Sequence, residues 1–184
     1  DRIDYLVLTH SDNDHIKNAD EIIKKYNVKM LIYPKYDNGF IELEALAYNS
    51  IKVDYNNSFY LDDIYIDILG PIYVYNDKNS NSIVLKLEID GYSFLFTGDM
   101  TVEAEYDLIN KYGSYLKSDI LKVAHHGSNT SSSNEFINLV NPKYSIVSVR
   151  KNNIYNLPDN EIISRLEGKS KVLLTSKCGN ISFK

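Results

Sequence analysis

The feature that most limits what this chain can fold into is a change of hydrophobic rhythm along its length. Ile3 to Leu8 and Val28 to Tyr33 are short continuous apolar runs suited to interior strands. Each leads into apolar residues at helical spacing: Ala19, Ile22, Ile23 and Tyr26 after the first, and the stretch Gly39 to Tyr48 after the second. Two strand–helix units in succession predict a parallel start. From Ile51 to Phe96 the rhythm becomes alternation, with Ile64, Ile66 and Ile68 on one face. Ser82 to Ile89 and Tyr92 to Phe96 flank Asp90-Gly91, a hairpin signal, so the middle is predicted antiparallel. A helix over Val102 to Lys111 and a strand over Ile120 to Ala124 follow. The next helix, Asn134 to Val140, is announced by Ser132 and Glu135 at capping-box spacing. Strand Tyr144 to Val149, a helix near Asn160 to Leu166, and strands Val172 to Thr175 and Asn180 to Phe183 complete the pattern. Strands in two groups with helices between them predict an α/β (α+β) fold of two sheets packed face to face and covered by helices.

At 184 residues and 43% apolar composition the chain has material for a sizeable core, and no repeat, low-complexity tract or linker divides it; residues 1–184 are read as one domain. With 20 Lys+Arg against 25 Asp+Glu, it lacks the overall basic footprint of a sequence-independent nucleic-acid binder, so any such binding is local. The single cysteine, Cys178, excludes an intrachain disulfide and a cysteine-built zinc cluster. The 16 tyrosines are read as strand filling. No apolar run approaches the ~20 residues of a membrane span, and no signal peptide is visible.

Of the four histidines, two fall within Leu8 to Ile16, LTHSDNDHI. Four side chains able to bind a metal (His10, Asp12, Asp14, His15) crowd a turn between a strand and a helix. The other two histidines, His125 and His126, are adjacent at the end of a predicted strand, before a glycine that lets the backbone turn closely. Asp99 also follows a strand end, in Phe96-Thr97-Gly98-Asp99. All of these stand where strands run out into loops, the edge on which α/β folds gather function.

These residues resemble the metallo-β-lactamase superfamily, and within it the C-terminal hydrolase-like domain of the ComEC/Rec2 DNA-internalisation competence proteins. The matching pieces are Leu8 to His15, Asn81 to Leu85, Phe94 to Asp99 and Leu121 to Ser128. The last of them, with Asp12 where many members have histidine, points to the competence subgroup. The resemblance implies an αββα sandwich of two mixed sheets flanked by helices, with a two-metal cleft along one edge. The chain also departs from the pattern. The family's opening strands are missing, so the first sheet is expected to be incomplete unless they lie upstream. Lys17-Asn18 stand where Gly-Gly is usual, and Leu157 replaces a pocket histidine in Asn153 to Pro158.

On this reading His10 and Asp12 reach one ion, Asp14 and His15 a second, and Asp99 bridges them. Neighbouring strand residues face opposite ways, so one of His125 and His126 completes the metal shell and the other faces the cleft; the sequence leaves open which. The carboxylates offset most of the charge of two divalent ions and make Mn²⁺ a rival to Zn²⁺. A two-metal site suits phosphodiester hydrolysis. Asp14, Asp99 and His126 are the expected catalytic residues, with Lys122 as a phosphate contact, though strand lysines at a sheet edge are usually solvated. Ser128, Asn129 and Thr130 either donate to phosphate oxygens or merely form the turn. The leading expectation is a metal-dependent nuclease associated with DNA uptake, its partner DNA and a membrane channel upstream. The alternatives are a small-molecule phosphoesterase and a non-catalytic DNA- or partner-binding domain. Apolar spans before Asp1 would put the domain on the outer face of a bacterial membrane, and their absence in the cytoplasm.

Overall fold

The computed structural model describes residues 2–61 and 64–183. Strand β1 (Arg2–Val7) runs into the short helix α1 (Asn13–Ile16) and then α2 (Ala19–Lys25). Strand β2 (Asn27–Pro34), helix α3 (Ile41–Leu46) and strand β3 (Ser50–Val53) follow. These three strands form a sheet in the order β1-β2-β3, parallel throughout. Next come β4 (Ser58–Leu61), β5 (Ile64–Gly70), β6 (Val84–Ile89), β7 (Tyr92–Phe96), α4 (Val102–Tyr112), β8 (Ile120–Lys122), α5 (Asn134–Val140), β9 (Tyr144–Val147), α6 (Asn160–Glu167), β10 (Lys171–Leu174) and α7 (Thr175–Cys178). They build a seven-stranded sheet in the order β10-β9-β8-β7-β6-β5-β4. It is mixed: β7 to β10 pair in parallel, and β4 to β7 are antiparallel.

Three apolar clusters hold the layers together. Leu31, Tyr33 and Val28 of β2 meet Ala19, Ile23, Phe40 and Leu43 on the helical side of the small sheet. Ile32, one residue out of phase, faces the other way and joins Val53, Ile66, Ile68, Ile83 and Leu85 between the sheets. Leu69, Val84, Leu95 and Leu121 cover the far side of the large sheet with Leu108, Phe136, Ile137 and Ile162 from α4, α5 and α6. Period-two alternation thus sends each strand's residues into two different cores, and the order of layers is helix, sheet, sheet, helix.

Several expectations need correction. Two mixed sheets were expected, and only the larger is mixed. Residues 51–53, read as part of the antiparallel middle, belong to β3 and pair in parallel with β2. The capping box at Ser132 is absent: Ser133 is the N-cap of α5, accepting from Phe136 N, because the backbone N–H groups of Ser132 and Ser133 are both taken by the buried carboxylate of Glu105. Residues 180–183 form no strand; the chain turns through α7, and Phe183 packs edge-on against Phe94 and Tyr144. The hairpin at Asp90-Gly91 is as read, with both φ angles positive (51° and 77°), the geometry of a type I′ turn. Among the described residues no helix is long and apolar enough to cross a membrane.

Candidate metal centre

The C-terminal ends of β1, β7 and β8 come together across the two sheets, and their exit loops carry the site. The Ile83 backbone N–H donates to the Thr9 carbonyl at 2.9 Å, tying the exit of β1 to the segment before β6. Gly98 makes the close approach possible. Its φ is +53°, and a Cβ there would meet the Ser82 Cβ at 2.7 Å and the Thr9 Cβ at 3.1 Å. The next residue, Asp99, is fixed by its backbone N–H donating to Ser82 Oγ at 3.1 Å.

Around Asp99 the other groups converge. Its Oδ2 lies 3.3 Å from His15 Nε2, 3.4 Å from His126 Nε2 and 3.9 Å from His10 Nε2. Asp14 Oδ2 is 3.1 Å from His126 Nε2, and the Nε2 atoms of His15 and His126 are 3.3 Å apart. One ligand atom each from Asp14, His15, Asp99 and His126 falls within 4.8 Å of all the others. His10 and Asp12 adjoin this group, 3.7 Å apart, with Asp12 Oδ1 held by Lys78 Nζ at 2.8 Å.

The donor set fits a cation. His126 Nδ1 donates to the Ser148 carbonyl at 2.6 Å, so the neutral ring turns an Nε2 lone pair toward the cluster. Thr9 Oγ1 lies 3.1 Å from His10 Nδ1 and 3.4 Å from His15 Nδ1, and orients those rings the same way. Among the described residues, the buried atoms His10 Nε2 and Asp99 Oδ1 find no hydrogen-bond partner. Acceptors facing one another at these distances repel unless positive charge sits among them. Burial and the neighbouring His15 push the His10 pKa down to about 4, keeping it neutral. Burial would raise the Asp99 pKa, but the imidazoles of His15, His126 and His10 gathered around it outweigh that and hold the carboxyl well below the usual carboxylate range. For Asp12 the opposing influence that wins is the Lys78 ammonium.

His125 and His126 are not on a strand. They follow β8 in a tight turn with φ of 46° and 53°, a left-handed pair that aims the rings apart. His126 enters the cluster, whereas His125 Nδ1 pairs with Thr130 Oγ1 at 3.0 Å and the residue lines the adjoining cleft. Lys122 does not reach the cleft wall: its Nζ donates to the Val123 carbonyl at 2.9 Å, and burial depresses its pKa against the opposing pull of Asp99. Ser128 and Asn129 do line the cleft.

A family model described as the metallo-beta-lactamase superfamily matches residues 1–149. The chain belongs to that superfamily. This metallo-β-lactamase domain is 34% identical over its whole length to ComE operon protein 3 of Bacillus subtilis (strain 168), and 32% identical over 99% of its length to competence protein ComA of Neisseria gonorrhoeae. It spans 25% of each of those proteins. Among solved structures, CmlA, a diiron β-hydroxylase from Streptomyces venezuelae, superposes with a TM-score of 0.63 over 94% of this chain and 44% of its own, at 13% identity, a likeness of fold.

Three contributors to this metallo-β-lactamase centre escaped the reading of the sequence. Thr9 sat inside the quoted motif but carried no signal of its own. Asp37 accepts from Ser11 N and Ser11 Oγ, both at 2.7 Å, and from Gly39 N at 2.9 Å, pinning the loop between His10 and Asp12 from 26 residues away. Lys78 likewise arrives from a distant loop. Only the three-dimensional fold brings such ordinary residue types to the site.

Proposed function

We propose that this domain is a metal-dependent phosphodiesterase that hydrolyses DNA during DNA uptake. The observation that carries the reading is the convergence of Asp14, His15, Asp99 and His126 ligand atoms within 4.8 Å, at the floor of a polar cleft of about 500 Å³. In this proposal those four residues would hold one divalent ion, Zn²⁺ or Mn²⁺. His10 and Asp12, with Asp99 nearby, would hold a second. Such ions, when bound, lower the pKa of water and stabilise the attacking and leaving oxygens of a phosphodiester.

The chain's own residues supply the rest. The Ser148 carbonyl keeps the His126 proton on Nδ1 and its Nε2 free for the ion. Asp14, with 64% of its side chain exposed, is the carboxylate placed to take a proton from water entering the cleft. Ser128 and Asn129 on the cleft wall donate to phosphate oxygens, and His125 stays on the substrate side. Lys122, half-buried and turned onto the Val123 carbonyl, leaves phosphate contact to the wall residues. The named competence proteins are longer, the chain spanning 25% of each; the proposal places the domain as the hydrolytic part of such an assembly, joined to a membrane channel outside this chain.

The test is metal content by mass spectrometry together with cleavage of a labelled single-stranded oligonucleotide, with and without chelator, in Mn²⁺ and in Zn²⁺. Stoichiometric metal and chelator-sensitive cleavage are expected, with activity lost in Asp14→Ala and Asp99→Ala. Substoichiometric metal, or cleavage that survives both substitutions, overturns the proposal.

A further inference from the structure

The metal cluster borders two cavities of opposite chemistry. One is the polar cleft, walled by Asp12, Asp99, His125, Ser128 and Asn129. The other, of about 550 Å³, is walled by Val149, Arg150, Ile154 and Thr175. Asp14, His126, Tyr155 and Leu157 line both, so a ligand seated in the second cavity is adjacent to the cluster.

The wall between them is braced. Within the loop of residues 150–157, Asn153 Nδ2 donates to the carbonyls of Arg150 (3.1 Å) and Leu157 (2.7 Å), and its Oδ1 accepts from Tyr155 N (3.1 Å) and Leu157 N (3.0 Å). Asn152 and Asn156 take the left-handed backbone needed at the two bends, each with φ 56°. This self-contained knot holds Ile154 and Tyr155 out in solvent, 85% and 75% exposed. Scattered exposed apolar side chains need no explanation, but two on a braced loop at the rim of an apolar cavity beside a metal cluster form a platform.

We infer that the apolar cavity is a subsite for one unstacked nucleobase, next to the phosphate held in the polar cleft, with Tyr155 as its stacking face and Arg150 beside the following phosphate. A nucleotide joins an anionic group to a flat apolar ring, and the two cavities offer that same pair side by side. In a duplex the base is stacked and paired, and entering the cavity means extruding it; a single strand avoids most of that cost. The domain therefore selects single-stranded over double-stranded DNA. This inference rests on the phosphodiesterase reading and deepens it.

The test uses the metal-loaded domain and three fluorescent phosphorothioate probes that resist hydrolysis. They are a thymidylate single strand, the same strand with abasic tetrahydrofuran residues, and a hairpin duplex. By anisotropy the single strand is expected to bind about 5- to 160-fold more tightly than the abasic strand, the range of one base–aromatic stack. Tyr155→Ala removes most of that difference and Tyr155→Phe keeps it. A difference that persists in Tyr155→Ala, or a duplex bound as well as the single strand, overturns the subsite. Cleavage of the abasic strand with ordinary phosphodiester linkages separates the two ideas. If it is cut in a metal-dependent way while Tyr155→Ala leaves the base preference intact, the subsite fails and the phosphodiesterase stands. If no oligonucleotide is bound or cut, both fail.

Discussion

Thr9→Val isolates the part played by one hydroxyl in shaping the centre. Thr9 Oγ1 faces Nδ1 of both His10 (3.1 Å) and His15 (3.4 Å). A hydroxyl oxygen has two lone pairs, enough to accept from both rings and leave both Nε2 atoms unprotonated toward Asp99. Valine keeps the branched shape where Thr9 packs closely against Gly98, so packing is preserved and the acceptor alone is lost. One bond of ordinary length and one long bond together contribute about 1–2 kcal/mol net. That corresponds to roughly 5- to 30-fold weaker metal binding. The range overlaps the ~10- to 100-fold cost of losing a partner that orients a metal-ligating histidine. Titration calorimetry with Zn²⁺ or Mn²⁺ measures the constant directly, circular dichroism checks the fold, and Thr9→Ser, which retains the oxygen, is the control. Equal affinity in wild type, Thr9→Val and Thr9→Ser refutes the idea that Thr9 sets the two tautomers.

Three further outcomes are expected. His126→Ala abolishes tight metal binding while His125→Ala keeps it and slows turnover; the opposite order in a metal titration refutes the assignment of the two rings. Removing the ammonium that holds Asp12, with Lys78→Met, strengthens the weaker ion's binding by up to about 5-fold and leaves the tighter one unchanged, since a half-exposed pair contributes only ~0.2–1 kcal/mol; calorimetry showing no gain sinks it. Glu105→Ala leaves the Ser132 and Ser133 N–H groups without their acceptor and costs about 2–4 kcal/mol at the acid end, read from urea midpoints. Burial raises the Glu105 pKa from 4.5, so its contribution is whole below that value and is lost as pH rises through the folded pKa. The gap between wild type and Glu105→Ala narrows from pH 4 to pH 7, and a widening gap contradicts the sign.

Most of the strands were legible from rhythm, but which sheet each one joins was not. Ser50–Val53 shows why. Alternation reports half-burial, and Ile51 and Lys52 on this edge are exposed, so nothing local distinguishes pairing with β2 from pairing within the antiparallel middle. The apolar signal of residues 180–183 was real, yet it serves packing: Phe183 covers Phe94 and Tyr144 after Gly179, at φ 66°, ends α7. The capping box read at Ser132 gave way to a cap at Ser133, because the Ser132 N–H is taken by Glu105, 27 residues earlier. A capping rule read along the chain cannot include a partner that arrives through tertiary packing.

The site divides along the same line. Its chemistry was legible because His10, Asp12, Asp14 and His15 are unusual types crowded into one turn, and because Asp99 and His126 follow strand ends. Its asymmetry was not. The half containing Asp14, His15, Asp99 and His126 has four donors within 4.8 Å, with His126 oriented by the Ser148 carbonyl. The half containing His10 and Asp12 has one buried imidazole and a carboxylate already claimed by Lys78. On the proposed reading, equal ligand types therefore do not mean equal affinity: the first half has its donors gathered, and in the second Lys78 competes for Asp12. The sequence motif, symmetric in appearance, folds into two unequal halves: on the proposed reading the half oriented by the Ser148 carbonyl takes an ion more readily than the half in which Lys78 holds Asp12, and neither Ser148 nor Lys78 is among the residues read as ligands.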